Sequence, residues 1–170
     1  MSVTARSDFC LFRHGEETWA CSTRVAGEII EWRPHAPVPQ APAELHGALN
    51  LRGEILPLVS LDPFILDKAP AAEHRGSMLV LASDSVRIAA EVDAVVAVRH
   101  IAPWEIRAPD SDDQPLPGKV PLRGIVHNEG TRTMVLDGPA LVGRIADSIR
   151  AQFQHGIPKE REEPWPGREV

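Results

Sequence analysis

The segment GALNLRGEILPLV, residues 47–59, carries the strongest folding signal in this chain. Its two apolar stretches, 48–51 and 55–59, are separated by a tight polar turn at 52–54. Glycine in such a turn supplies the positive φ angle that most residues avoid. The pattern predicts two antiparallel strands, with Arg52 displayed beside Gly53 on the turn that joins them.

Similar strand signals lie on both sides of this segment. Short apolar runs rich in β-branched or small residues alternate with polar turns, as in hairpins and meanders. Further strands are predicted, in chain order, at residues 9–12, 19–21, 77–82, 86–92, 94–98, 120–127 and 131–136. The chain is therefore expected to be mainly β-structure.

Helical signals are short, apart from the last one. Residues 24–30 and 103–106 suffice for one turn each, and residues 62–66 begin with Asp and Pro, which suit a helix start. Over 139–153 apolar residues recur every four positions, which predicts a closing helix whose buried face comprises Leu141, Ile145, Ile149 and Phe153. Many short strands with one terminal helix are typical of all-β folds built from small barrels.

Changes in composition divide the chain. The Ala-, Pro- and charge-rich segment 67–76 predicts a boundary between a first lobe at 9–66 and a second lobe at 77–136. Residues 1–8 are expected to form an N-terminal arm, and the charged, Pro-rich residues 154–170 a flexible tail.

Composition excludes several classes of protein. Apolar residues make up 43% of the chain and charged residues 25%, the balance of a soluble globular protein. A net charge of −6 argues against nucleic-acid binding, which relies on phosphate neutralisation. No apolar run is long enough to span a bilayer, so we expect a cytoplasmic protein without direct membrane insertion.

The two cysteines, Cys10 and Cys21, are too few for a disulfide framework and fit a reducing compartment. A two-residue loop at Gly15 and Glu16 would place them opposite each other across a strand pair. We interpret them as buried apolar thiols, with a redox pair as the alternative.

Motifs for catalysis, phosphate binding and metal binding are missing from the sequence. The seven histidines are scattered and are interpreted as surface or partly buried structural residues. Asp110, Asp112 and Asp113 are expected to form a solvated acidic loop, because the bidentate Glu that ends a calcium loop is lacking. We therefore expect no catalytic residue, no cofactor and no metal.

The tryptophans suggest surface roles. A stacking platform for single-stranded nucleic acid, formed by Trp32, Trp104 and Trp165, is disfavoured by the acidic balance. Trp104 is expected to anchor the turn at Pro103, and Trp165 to act as a short docking element in the tail.

Residues 47–59 resemble the CheW-family signature G-x-x-N-L-R-G followed by a Pro and an aliphatic pair. Further similarities occur in the family's order on both sides, at residues 15–17, 28–29, 37–39, 91–93, 106–107, 122–124 and 136–137. The resemblance covers residues 9–149, and the predicted CheW-like domain spans 9–153.

This resemblance implies an all-β fold of two small five-stranded β-barrel lobes packed together, with short helices and a C-terminal helix. It also implies a non-catalytic chemotaxis adaptor that binds two partners, the cytoplasmic hairpin of a methyl-accepting chemoreceptor and the regulatory domain of a CheA-type histidine kinase. Such a protein would be cytoplasmic and recruited to membrane-associated receptor arrays. Receptor contact is implied for Ala26, Glu28, Ile29, Asn50, Arg52 and Gly53, and kinase or ring contact for Ile106 and Arg107.

Departures from the family pattern define the alternatives. Ala26 stands where the family has a small aliphatic residue and offers less apolar area, Trp19 replaces a usual Tyr, and Ser60 a common Asp. These changes suggest a divergent paralogue with a non-flagellar output. A second hypothesis is a binding module of the same fold that has lost receptor contact and binds a kinase or another signalling protein. A third, an enzyme with a site between the lobes, has no nucleophile, base or metal cluster behind it.

Overall fold

Strands dominate the computed structural model, which describes residues 7–72, 76–113, 116 and 119–156. The strands, in chain order, are β1 (Asp8–His14), β2 (Glu17–Ser22), β3 (Ala26–Glu31), β4 (Leu45–Leu51), β5 (Glu54–Ser60), β6 (Ser77–Ser83), β7 (Val86–Val92), β8 (Ala94–His100), β9 (Leu122–Asn128) and β10 (Thr131–Leu136). Single helical turns occur at Asp62–Leu66, Pro103–Glu105 and Ser111–Asp113, and α1 spans Gly138–Gly156.

The strands form two five-stranded sheets. The first sheet has the order β8-β1-β2-β10-β9 and the second the order β3-β6-β7-β5-β4. Neighbouring strands are antiparallel except for β2 with β10 and β5 with β7, which are parallel. The all-β class and the five strands of each unit are thus confirmed.

The sheets differ from the predicted barrels in how they close. In the described part of the chain, no ladder joins β8 to β9 or β3 to β4, so neither sheet is a closed barrel. The edge of β4 is instead met by one residue, Ala36, whose backbone exchanges hydrogen bonds of 2.9 and 2.8 Å with Ala48. Prolines on both sides of Ala36 prevent a longer ladder there, because proline has no N–H to donate.

The way in which the strands group into sheets also differs from the predicted lobes. The first sheet combines β1 and β2 with β8, β9 and β10, and the second combines β3, β4 and β5 with β6 and β7. The segments 9–66 and 77–136 therefore do not coincide with the sheets. Pairing between segments is decided by tertiary packing, which composition near residues 67–76 does not report.

The main core lies between the sheets. Phe12 and Trp19 of the first sheet pack with Leu79 of the second, and α1 adds Leu141 and Ile145. Smaller clusters occupy the other face of each sheet. Of the predicted helix face, Ile149 packs partly against the core, whereas Phe153 is 37% exposed.

The prediction of a helical turn at residues 24–30 was wrong. Residues Ala26–Glu31 form β3, which pairs antiparallel with β6 and buries Ile30. A single turn closes one hydrogen bond at a high entropic cost, whereas the edge of β6 offers a full ladder.

The cysteines occupy the predicted register, with Cys10 opposite Cys21 in the β1–β2 pair. Both are buried, and burial raises the pKa of Cys10 and raises that of Cys21 to about 12. Thiols of this kind stay protonated at neutral pH and are poor nucleophiles.

The predicted ends of the chain lie mostly outside the described residues. This applies to residues 1–6 of the arm and to residues 157–170 of the tail, including Trp165. Asp8 already belongs to β1, and α1 continues to Gly156, three residues beyond the predicted end.

Candidate partner-binding surfaces

The turn between β4 and β5 holds Arg52 in a defined position. Its two residues, Arg52 and Gly53, have φ angles of 53° and 88°, the left-handed values that suit a two-residue hairpin loop. The Asn50 side chain accepts a 2.8 Å hydrogen bond from the Gly53 N–H, which fixes the turn from within. The Asn and Gly of the sequence signature therefore have a direct structural role here.

Arg52 reaches from this turn to the opposite edge of the second sheet. Its Nη2 lies 2.7 Å from Oε1 of Glu28 in β3, and the side chains are 77% and 25% exposed, respectively. An exposed ion pair contributes about 0–1 kcal/mol to stability. The guanidinium keeps most of its donors exposed, so the pair orients Arg52 without hiding it.

Exposed apolar side chains accompany Arg52. Ile29 in β3 is 48% exposed and Ile55 in β5 is 63% exposed. The pairing of β3 and β5 with their neighbours places both side chains on the face of the second sheet that contributes to the main core. They lie in a part of that face that stays exposed. Ile55 was missed from sequence, although an Ile directly after a turn, at a position that alternates with buried Leu56, was an available signal.

The Arg52 surface, defined as Glu28, Ile29, Asn50, Arg52, Gly53 and Ile55, contains five of the six residues predicted for receptor contact. Ala26 is not among them, because it is 5% exposed and packs in the core between the sheets. A small residue at position 26 therefore affects the packing of the core and not the apolar area that the surface exposes.

The second predicted contact, Ile106 and Arg107, covers the outer edge of β9. Arg107 exchanges two backbone hydrogen bonds with Ile125, of 3.0 and 2.8 Å. The half-buried Ile106 packs against the apolar cluster on the outer face of the first sheet. These residues therefore have a structural role whether or not a partner binds.

The Arg107 guanidinium is engaged within the chain. It contacts Asp110 at 2.8 Å and Asp113 at 3.1 and 3.3 Å, and lies 2.7 Å from Nε2 of His127. Asp110 and Asp112 are exposed but Asp113 is fully buried, so the prediction of a solvated acidic loop was wrong for Asp113. A hydrogen bond from the Asp110 N–H is the main cause that holds the pKa of Asp113 below its usual value, followed by the hydrogen bond with His127 and the charge of Arg107.

We expect Asp113→Asn to loosen the segment that follows Arg107. The pKa of Asp113 is lowered in the folded state, so the ionised carboxylate stabilises the fold at pH values above 3.8, the ordinary carboxyl pKa. This stabilisation is lost as the pH falls through the lower pKa of the folded state. The urea midpoint of the variant should therefore be lower than that of the wild type at pH 7, and the difference should shrink below pH 3.8. Equal midpoints at pH 7 would mean that the Asp113 charge does not hold the loop.

Two histidine–carboxylate pairs, one buried and one partly buried, were also missed from sequence. Nε2 of His14 lies 2.7 Å from Asp62, and Nδ1 of His46 lies 2.7 Å from Glu91. His14 is fully buried, contrary to the surface or partly buried position predicted for it. Asp62 also accepts a hydrogen bond of 2.8 Å from the Ala71 N–H, so the pair ties the segment after β5 to β1.

Among the described residues, no group of three His, Cys, Asp or Glu side chains is arranged to hold a metal ion. In the same part of the chain, no helix is long and apolar enough to cross a bilayer.

Comparison with known proteins gives consistent matches. Residues 8–146 match the family model described as "CheW-like domain". The chemotaxis protein CheW of Rhizobium meliloti (strain 1021) is 32% identical over 106 residues, which cover 62% of this chain and 64% of that protein, slightly less than two thirds of its length. CheW of Treponema pallidum (strain Nichols) is 26% identical over 130 residues, covering 74% of this chain and 76% of that protein.

A solved structure shows the same fold. The scaffolding protein TtCheW from Thermoanaerobacter tengcongensis superimposes with a TM-score of 0.66 over 80% of this chain and 87% of that one. Sequence identity in this comparison is 19%, so the likeness concerns the fold.

Proposed function

The chain belongs to the family of CheW-like domains, and from this premise we propose that it couples a chemoreceptor to a CheA-type histidine kinase. A non-catalytic scaffold role in chemotaxis is part of this proposal, and the two relatives matched in sequence, both described as chemotaxis proteins, support it. The proposed partners are the cytoplasmic hairpin of a methyl-accepting chemoreceptor and the regulatory domain of the kinase. The protein would act in the cytoplasm, recruited to membrane-associated receptor arrays.

The geometry of Arg52 is the observation that supports receptor binding most directly. An exposed guanidinium on a fixed hairpin, with Ile29 and Ile55 exposed nearby, combines a directional charge with apolar area. Arginine binds carboxylates through two parallel hydrogen bonds, and desolvated arginines are frequent binding hot spots. An acidic position on a helical hairpin would meet these requirements.

The second proposed contact, with the kinase, involves Ile106 and Arg107 on the first sheet. The two contacts lie on different sheets, which supports binding of both partners at once. Signalling would then pass through the relative positions of the bound partners and not through a reaction.

A non-flagellar output is proposed from the departures at Trp19, Ser60 and Ala26. All three are buried, so they concern packing within the domain. The alternative function, a module that binds a kinase or another signalling protein without a receptor, would leave the Arg52 surface without a ligand.

Calorimetry tests the proposal directly. The purified chain would be titrated with a receptor cytoplasmic hairpin and with the kinase regulatory domain, both from the same genome. We expect binding to each, and binding to the second partner in the presence of the first. Binding to the kinase alone would favour the alternative module, and binding to neither folded partner would exclude the coupling role.

A further inference from the structure

Charged side chains, and not the tryptophan, hold the segment that connects β8 with the edge of β9. Trp104 is 78% exposed, so the prediction that it anchors the turn Pro103–Glu105 by packing was wrong. The Glu105 carboxylate holds this turn instead, accepting hydrogen bonds from the Ala102 N–H at 2.7 Å and from the Arg99 guanidinium at 2.9 Å. Further along the segment, the charged groups converge on one histidine of β9.

Three polar groups meet at the ring of His127. Its Nε2 lies 2.7 Å from Nη2 of Arg107 and 2.9 Å from Oδ1 of Asp113, and the same Nη2 lies 3.3 Å from that Oδ1. A ring nitrogen of histidine either carries a hydrogen and donates, or has a free lone pair and accepts. Nε2 therefore cannot accept a hydrogen bond from Arg107 and donate one to Asp113 at the same time.

The protonation state of the ring decides between the two contacts. A neutral ring without a hydrogen on Nε2 accepts a hydrogen bond from the Arg107 guanidinium. A protonated ring carries a hydrogen on both nitrogens, so its Nε2 donates to Asp113 and faces Arg107 with a like charge. Asp113 stays ionised in both cases, because the hydrogen bond from the Asp110 N–H holds the pKa of its carboxyl below the usual value.

We propose that His127 is a proton-dependent switch for the Arg107 side chain. The neutral ring holds Nη2 of Arg107, and the protonated ring binds Asp113 and releases this Nη2 to solvent. The two backbone hydrogen bonds between Arg107 and Ile125 do not involve the ring, so they persist in both states. The switch therefore changes how the guanidinium is displayed without unfolding the segment. It does not rest on the coupling function proposed above.

Solvent access allows the ring to exchange protons. The side chains of His127 and Arg107 are 45% and 40% exposed. Histidine is the side chain whose charge ordinarily changes between about pH 5 and pH 8. Moderate acidification should therefore operate the switch while the carboxylates around it remain ionised.

The other charged groups near the ring come from three elements. Arg132 of β10 lies directly opposite His127 in the strand pair, donates to the Asp113 carbonyl and forms an ion pair with Glu17 of β2. In the described part of the chain, the charged side chains around the ring are thus Arg107, Asp110, Asp112 and Asp113 of the segment before β9, Arg132 of β10 and Glu17 of β2. The ring faces charges of both signs, so a proton changes which neighbour it attracts.

Nuclear magnetic resonance on the full chain, labelled with ¹⁵N, tests the switch without any partner. Long-range ¹H–¹⁵N spectra report which ring nitrogens carry a hydrogen, and the guanidinium signals report the environment of Arg107. From about pH 8 to about pH 5, the range in which histidine titrates, we expect Nε2 of His127 to gain a hydrogen. The Arg107 guanidinium signals should shift with the same midpoint.

Substitutions separate the ring from its neighbours. His127→Gln cannot take up a proton and should abolish the pH-dependent shift of Arg107, whereas His127→Lys carries a fixed charge and should keep Arg107 at its low-pH position throughout. The matched control is His100→Gln, because the His100 side chain is also 45% exposed and lies 3.6 Å from a carboxylate, that of Asp8. This control should leave the Arg107 shift intact. Backbone amide spectra verify that each variant is folded.

Three results would overturn the proposal. The first is an Nε2 that already carries its hydrogen at the high-pH end, because Arg107 then has no hydrogen bond to lose. The second is a titrating His127 ring with unchanged Arg107 signals. The third is an Arg107 shift that persists in His127→Gln, which would assign the pH response to another group.

Discussion

Replacing Gly47 with valine should lower the free energy of unfolding by about 3 kcal/mol or more, as expected for overpacking against fixed backbone. A Cβ atom at this position would lie 2.3 Å from Cδ2 of His35 and 2.6 Å from the carbonyl oxygen of Ala36. The segment carrying both residues would have to move away, and the paired hydrogen bonds between Ala36 and Ala48 would be lost. Urea unfolding followed by far-UV circular dichroism measures the change, with Gly47→Ala as a milder variant if the valine variant does not fold.

A second glycine provides a control, because its replacement should change stability in the opposite direction. Gly143 lies within α1, and a Cβ atom there would meet nothing within 4 Å. Gly143→Ala should therefore raise stability by about 0.5–1 kcal/mol through helix propensity alone. A Gly47 variant as stable as the wild type would show that residues 35–36 do not pack closely on β4.

Reversing the charge at Arg52 should weaken receptor-hairpin binding by at least about tenfold, because the acidic partner position proposed for this site would lose its counter-charge and meet repulsion. The folded chain should tolerate Arg52→Glu, since Arg52 is 77% exposed and its ion pair with the partly exposed Glu28 contributes about 1 kcal/mol or less. Calorimetry with the receptor hairpin, at two salt concentrations, measures the effect.

A charge swap distinguishes two roles of Arg52. Glu28→Arg combined with Arg52→Glu restores the ion pair within the chain but leaves the charge at position 52 reversed. Continued weak binding is expected if the receptor contacts Arg52 itself, whereas recovered binding would mean that only the intrachain pair matters. Arg150→Glu makes the same change in net charge on α1, at a side chain that is 64% exposed, and should leave receptor binding unaltered.

Local patterns predicted the strands well. Each apolar run bounded by turn residues became a strand within a few residues of the predicted limits, and the two-residue loop at Gly15 and Glu16 correctly placed Cys10 opposite Cys21. These features depend on residues that are close in sequence. The alternation of apolar and polar residues and the residue types in the turns are therefore enough to predict them.

Features that depend on distant partners were not predicted. β3 was mistaken for a helical turn because its pairing strand, β6, lies some fifty residues further along the chain. The burial of Asp113 depends on Arg107 and His127, which belong to different elements. Similarly, the exposure of Trp104 and Ile55 is set by which surfaces the other sheet covers, and no local periodicity encodes that.

Strands of the two sheets alternate along the chain, and this order affects how the protein folds. Fragments produced by a cut near residue 72 would each lack strands of both sheets, since β1 and β2 need β8 and β10, while β6 and β7 need β3 and β5. We expect neither fragment to fold alone, and the two to regain structure on mixing. Closure of the loops between these strands makes folding slow relative to hairpin formation. During synthesis, no stable half would emerge before the later strands arrive.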